Sequence, residues 1–347
     1  MNFFYKYLLF VAIVSAFVFI LLFGQLRIFR HTVIGKLNRL FLLWLPKKLS
    51  QLDNKLLHGK GYVFYRISSN YVFFQKHSLV VLFYLCIVSF CIFNFLYHGR
   101  TITNQYHKLD WLLLVTSAVL PYVSLYIAIY SDPGVVTQEN WQEASTAYPY
   151  DYKIFFPRTC ETCKFLKPAR SKHCRLCNCC VQKFDHHCIW INNCVGRNNI
   201  RYFFLFLLST LQIQLYGVFC IGFHFNRVRD STLKSLLVSW WAAITAERQL
   251  GSVFLISVFS SVIVFSFLCY EFYLVYAGYT TNESEKWADL NELILQSKVY
   301  MHYRNGVQML TLQEDAPADA TLTYSLGQVH NIYDRGFWNN FKSICFP

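Results

Sequence analysis

Cys160-x2-Cys163-x9-His173-Cys174-x2-Cys177-x-Cys179-Cys180-x4-Asp185-His186-His187-Cys188-x5-Cys194 gathers eight cysteines and three histidines into one segment flanked by apolar sequence. Two tetrahedral zinc sites, each of four Cys or His ligands, would use eight of the eleven side chains. Cys160/Cys163 and Cys174/Cys177 have the Cys-x2-Cys step that lets two thiolates converge on one ion, and each pair needs two later ligands. Interleaving supplies them. His173 and Cys180 can close the first shell and His187 and Cys194 the second, knitting the segment together without strand or helix. Cys179, His186 and Cys188 are left over.

A coordinated thiolate is neutralised by its metal, whereas a free thiol beside a histidine can be deprotonated and attack an electrophile. Cys188 is the candidate nucleophile, His186 its base, and Asp185 the acid that would orient that base. Taken alone, the cluster also fits a wholly structural zinc module in which all eleven side chains are ligands or filler.

The surrounding chain has 347 residues, 55% hydrophobic, 19% aromatic and only 15% charged, too apolar for an ordinary soluble domain. Five runs approach the roughly 20 apolar residues that span a bilayer: Phe3–Phe23, Ser78–Tyr97, Trp111–Tyr130, Tyr202–Phe223 and Ser252–Tyr276. The first is longer than a signal-peptide core and lacks a following cleavage pattern, so it reads as a retained anchor. The predicted fold is an α-helical polytopic membrane protein with five transmembrane helices and a cytosolic cysteine-rich domain binding two structural zinc ions. Its divisions are an anchor (1–24), a basic cytosolic loop (25–77), spans two and three (78–130), the cysteine-rich domain (131–201), spans four and five (202–276) and a cytosolic tail (277–347).

Sidedness follows Lys and Arg. Gly24–His77 holds ten against the single acid Asp53, and the cysteine-rich segment also holds ten, whereas Gly99–Asp110 holds two and His224–Gly251 four. The two basic segments are expected in the cytosol, where reducing conditions keep thiols available to zinc. The +13 net charge then suits the anionic leaflet. Nucleic acid is the weaker partner, because the Cys/His spacing is not that of a DNA-reading finger.

Smaller features follow. Leu40–Leu45, ended by Pro46 and bracketed by cations, predicts an interfacial helix. Cys86, Cys91, Cys220 and Cys269 read as packing, Cys179 as a spare exposed thiol and Cys345 as packed. Gln212 and Gln214 are expected to face the bundle interior. A helical pattern covers Trp287–Tyr303, a flexible stretch surrounds Glu314, and the aromatic C-terminal end is expected to pack. Asn282-Glu283-Ser284 is a glycosylation sequon that a cytosolic tail would keep unmodified.

The run Asp185-His186-His187-Cys188-Ile189-Trp190-Ile191-Asn192-Asn193-Cys194-Val195-Gly196, preceded by Lys167-Pro168-x-Arg170-x2-His173-Cys174, resembles the cysteine-rich domain of the DHHC protein S-acyltransferases. Asp132-Pro133-Gly134 and Thr280-Thr281-Asn282-Glu283 are similar to that family's DPG and TTxE elements, and Asn331-x-Tyr333-Asp334-x-Gly336-x3-Asn340 to its C-terminal aromatic motif. Ile189 stands where many members have Pro, and Ile332 interrupts the usual Asn-Pro-Tyr; neither change removes a reactive group.

The resemblance implies a palmitoyltransferase that moves a long-chain acyl group from acyl-CoA, through a Cys188 thioester, to membrane-protein cysteines. It further implies that Lys167 and Arg170 meet coenzyme A phosphates. Trp190 would lie near the acyl chain and the nucleophile, with a link to the TTxE element through Thr281. Compact size, five spans and a short tail are similar to the fungal endoplasmic-reticulum branch acting on juxtamembrane cysteines of SNAREs. A membrane ubiquitin ligase is disfavoured because the fused His186-His187-Cys188 does not supply RING ligand pairs. A non-catalytic zinc scaffold is the other alternative.

Overall fold

The computed structural model describes residues 31–56, 75–229, 236–304 and 306–347, with scattered positions before residue 31. The chain divides into two units, residues 1–77 with 245–248, and residues 78–244 with 249–347.

In the first unit, α1 (Val33–Arg39) runs through a π turn (Leu40–Trp44) into α2 (Leu45–Leu56). Pro46 does not end the helix as predicted. The wider π bonding, with Leu45 N donating to Leu40 O, opens the ladder where proline lacks a donor. Leu43 and Trp44 are exposed, with the Lys48 ammonium 5.9 Å from the Trp44 ring centre, so an apolar surface is edged by a cation.

In the second unit, α3 (Leu79–His98), α4 (Lys108–Tyr130) and α6 (Ile200–Val228) are long and apolar enough to cross a membrane, as is α8 (Arg248–Ala277). A short α5 (Trp141–Thr146) lies in the cysteine-rich region and α7 (Leu236–Ala246) precedes α8. These spans match predicted runs two to five; the predicted run Phe3–Phe23 lies largely outside the described residues. Polar side chains join the helices from inside. Ser124 and Ser209 hydroxyls meet at 2.6 Å, Tyr84 and Thr210 at 2.8 Å, and Gln212 donates to Ser117 at 2.6 Å. Gln212 therefore faces its neighbour helix rather than lipid.

The cysteine-rich segment is not strandless. β1 (Val135–Val136), β2 (Lys172–Cys174) and β3 (Cys179–Val181) form one small sheet, and β4 (His186–Cys188) pairs with β5 (Asn193–Val195). The antiparallel registers put His173 opposite Cys180 and His187 opposite Cys194. The seven-residue spacing within each pair, read as loop closure by metal, is also the reach of a tight hairpin. Cys179 lies opposite Cys174, half-buried rather than exposed.

In the tail, α9 (Thr281–Leu295) begins in a capping box formed by Thr280 and Glu283. It stops before Ser297, whose φ is +54°. The predicted helical pattern through Tyr303 thus breaks into a strand, because Val299–Arg304 (β6) buries Val299 against α9 and pairs with β7 (Val307–Leu312) and β8 (Thr321–Leu322). α10 (Phe337–Cys345) seats Ile344, Phe337 and Phe341 on the core shared by α3, α4, α6 and α8, so the aromatic end packs.

Candidate active site

Side chains alternate across a strand, so along β4 His186 and Cys188 share one face while His187 takes the other. This alternation divides the Asp-His-His-Cys run between two tasks. His187 joins Cys174, Cys177 and Cys194, whose sulfurs lie 3.7, 3.4 and 3.6 Å from its Nδ1. His173 joins Cys160, Cys163 and Cys180 at 3.6, 3.4 and 3.9 Å. Four-coordinate zinc at ordinary bond lengths separates S and N ligands by about 3.6 Å. Both donor sets fit zinc, with the ligands divided between them as the spacing predicted.

On the other face, His186 Nδ1 is 2.6 Å from Asp185 Oδ2, and Cys188, two residues along the same strand face, adds to the interactions that favour the charged imidazole. Thr281 holds the carboxylate, its backbone N–H donating to Oδ1 at 2.6 Å and its hydroxyl to Oδ2 at 2.9 Å. Phe203 of α6 packs edge-on to the imidazole, 5.2 Å between ring centres. Burial opposes charge on both groups, but the hydrogen bonds and mutual attraction outweigh it. Asp185 is held below the ordinary carboxylate value by His186 and Thr281, and His186 well above the ordinary imidazole value by Asp185 and Cys188. An oriented, charge-supported imidazole beside a thiol can serve nucleophilic catalysis.

The elements that aim this face converge from distant sequence. The β5 residue Asn193 donates its amide to the carbonyls of Ala128, Ile129 and Ser131, fastening the motif to the end of α4. Asp132 Oδ1 accepts from Gly134 N and Val135 N, and its Oδ2 from Asn198, so the Asp-Pro-Gly turn is tied to the start of α6. Gly278 has φ +69° and lies so close to Asp334 that a Cβ would come within 2.7 Å of its Cα; only glycine fits. Asn340 donates to Val275 O and Asp334, completing the contact between the C-terminal motif and α8.

Arg170 does not take the role implied by the resemblance. It is 5% exposed, and its Nε and Nη2 each donate to Glu283, itself 1% exposed, at 2.6 Å. The rings of Tyr148 and Tyr333 lie 5.1 and 4.6 Å from the guanidinium carbon. A guanidinium so occupied cannot reach a solvent-borne phosphate; it instead locks the cysteine-rich domain to α9. Lys167 is half-buried. Trp190 packs against the same hydrophobic cluster as Cys188, but Thr281 contacts Asp185, which corrects the expected link through Thr281. Asn282 is buried in the first turn of α9.

Chain order does not show the pairing of Glu283 and Tyr148 with Arg170 or of Asn193 with the α4 carbonyls, because each contact joins segments far apart in sequence. A buried ion pair that loses one partner leaves an uncompensated charge. Arg170→Met is therefore expected to lower unfolding free energy by about 3–5 kcal/mol, and Arg170→Met with Glu283→Gln to recover most of that loss. Denaturant unfolding of both variants checks the coupling; equal destabilisation would refute it.

A profile of the DHHC palmitoyltransferase family matches residues 153–288. The chain is 56% identical to palmitoyltransferase swf1 of Schizosaccharomyces pombe, over 100% of this chain and 98% of that protein. It is 33% identical to palmitoyltransferase SWF1 of Yarrowia lipolytica over 98% of each, and 31% identical to rat palmitoyltransferase ZDHHC4 over 66% and 68%.

Proposed function

Because this chain belongs to the DHHC palmitoyltransferase family, and is a protein S-palmitoyltransferase, we propose that Cys188 carries the acyl group between acyl-CoA and the acceptor cysteine. The observation that supports this most is the division of β4: His187 lies in a zinc-type donor set, while Cys188 lies outside both sets beside the Asp185-bound His186.

In the first step His186 takes the Cys188 proton. The thiolate sulfur attacks the acyl carbonyl carbon, the bond from that carbon to the coenzyme A sulfur breaks, and the proton leaves with coenzyme A. In the second step His186 takes the acceptor thiol's proton and returns it to Cys188 as the acyl group moves on. Asp185, held by Thr281, fixes the imidazole's tautomer. Zinc, when bound, supplies folding free energy; four protein donors fill each set, so neither ion would keep the open position that metal catalysis requires.

Cys188 packs in one apolar cluster with Tyr84, Leu125, Phe206 and Leu207 of the spanning helices. We place the acyl tail there, where methylenes escape water at about 0.8 kcal/mol each. The cytosolic side for the active site and tail follows from the basic segments. Residence in the endoplasmic reticulum and SNARE-type acceptors are part of the same reading, and they rest on the resemblance in size, span number and tail length described above. Because flanking spans hold Cys188 near the bilayer, acceptor choice is positional, with enzyme and acceptor confined to one surface. Moving an acceptor cysteine stepwise from its transmembrane helix is expected to reduce its acylation within a few residues. Equal labelling of a soluble acceptor with the same local sequence would refute the positional account.

A further inference from the structure

Two neighbouring asparagines of the β4–β5 hairpin reach the ends of two spanning helices. Asn192, in the left-handed region at φ +48°, donates to the Ser78 hydroxyl just before α3 at 3.4 Å. Asn193 is buried, and its amide nitrogen lies 3.3, 3.1 and 2.9 Å from the carbonyl oxygens of Ala128, Ile129 and Ser131. Carbonyls in the last turn of a helix find no N–H within their own helix, so this amide fills a need that the end of α4 creates. Asn193 Oδ1 accepts from Cys194 N at 2.9 Å, which fixes the direction of the amide. A third asparagine, Asn199, stands immediately before α6 and donates to Cys194 O at 2.8 Å. The hairpin that carries the nucleophile is thereby tied to α3, α4 and α6, and Cys188 is the register partner of Asn193 across it. The donor set of His187 and Cys194 joins the hairpin to the cysteine-rich domain; the asparagines join it to the membrane-crossing helices.

We infer that Asn193 is a positioning residue that sets acceptor specificity. Its tie to α4 fixes the height of Cys188 above the bilayer, and with it the distance from an acceptor's own transmembrane helix at which a cysteine is acylated. The inference rests on the positional account given above and supplies its physical determinant. A cysteine on an extended segment moves outward by about 3.3 Å per residue, so a nucleophile held one strand pair from a helix end can discriminate single steps. Play in the hairpin of about one strand spacing, ~5 Å, would blur that discrimination by one or two residues. Asn193 acts through the placement of Cys188, and the bonds made and broken in both transfer steps stay as described.

Full-length wild type and Asn193→Ala are reconstituted in phosphatidylcholine vesicles with single-helix acceptors whose one cysteine is placed stepwise further from the helix. Each enzyme is first loaded with palmitoyl-CoA, and transfer from the preformed acyl-enzyme is followed by mass, so that the loading rate does not enter. Zinc content is measured in parallel. Wild type is expected to favour its best position at least about tenfold over one lying about three residues further out. In Asn193→Ala, where water can take over the α4 carbonyls, that ratio is expected to fall to about threefold or less with zinc content unchanged. A flat wild-type profile would remove the positional account, and the proposal with it. A sharp wild-type profile that Asn193→Ala reproduces in shape, however slowed, would overturn the proposal alone, since a purely structural loss lowers every position alike. If Asn193→Ala loses zinc or fails to load, Asn193→Ser takes its place, with an oxygen kept beside Cys194 N but too short to reach the three carbonyls. A flattened profile there supports the proposal; an unchanged one, or loss of zinc or loading in both variants, assigns Asn193 to holding the fold and overturns it.

Discussion

Cys188→Ser is expected to abolish hydroxylamine-sensitive acyl label while leaving the zinc content of the protein unchanged. Cys188 belongs to neither zinc-type donor set, so its sulfur is not needed to hold a metal. Serine keeps nearly the same shape in a buried site, but its hydroxyl is far less acidic than a thiol, whose ordinary pKa is about 8.5. The Asp185–His186 pair would then face a nucleophile it is not arranged to ionise, and the expected loss is on the order of 10³-fold or more. Intact mass after incubation with palmitoyl-CoA measures it. Label retained on the Ser variant and mapped to Cys179, which lies on β3 outside both donor sets, would remove Cys188 from the mechanism.

Cys174→Ala is expected to do more damage to the fold, and to stop transfer by a different route. Its donor set gathers β2, β4 and β5 through Cys174, His187 and Cys194, so a metal bound there would fasten the strand that carries His186 and Cys188. Apparent zinc-binding free energies of about 10–16 kcal/mol are, in small metal-held modules, folding free energy. Loss of one thiolate should lower zinc content to about half and release the β4–β5 hairpin, with acyl-enzyme formation falling in parallel. Metal analysis with limited proteolysis of the cysteine-rich segment checks this. A fully metallated, protease-resistant Cys174→Ala protein would refute the ligand pairing. The contrast with Cys188→Ser is diagnostic, since one variant should lose acyl label with its metal intact and the other should lose both.

Much of this was legible in residue order because the determinants are local. Of the five apolar runs read as spanning a bilayer, described helices occupy four, and the first lies largely outside the described residues. The two Cys/His groupings could be read because a Cys-x2-Cys step and a further pair seven residues apart bring four donors together with little help from the rest of the chain. Other features depended on contacts that no local pattern carries. The resemblance implies a phosphate-binding Arg170, yet folding brings Glu283 across 113 residues to neutralise it, and desolvation makes that pairing obligatory. The helical pattern of the tail failed beyond Leu295 because β6 found its partner in β7 and buried Val299 against α9, where tertiary packing overrides a weak local preference. Sequence by itself determined which side chains can bind metal, which can react and which segments can enter a membrane, since these are properties of residue type and spacing. Only the tertiary structure decided which polar and charged groups face one another, bringing Thr281 to Asp185 and Glu283 to Arg170, because electrostatic partnership depends on distance in space and on the exclusion of water, neither of which is written in chain order.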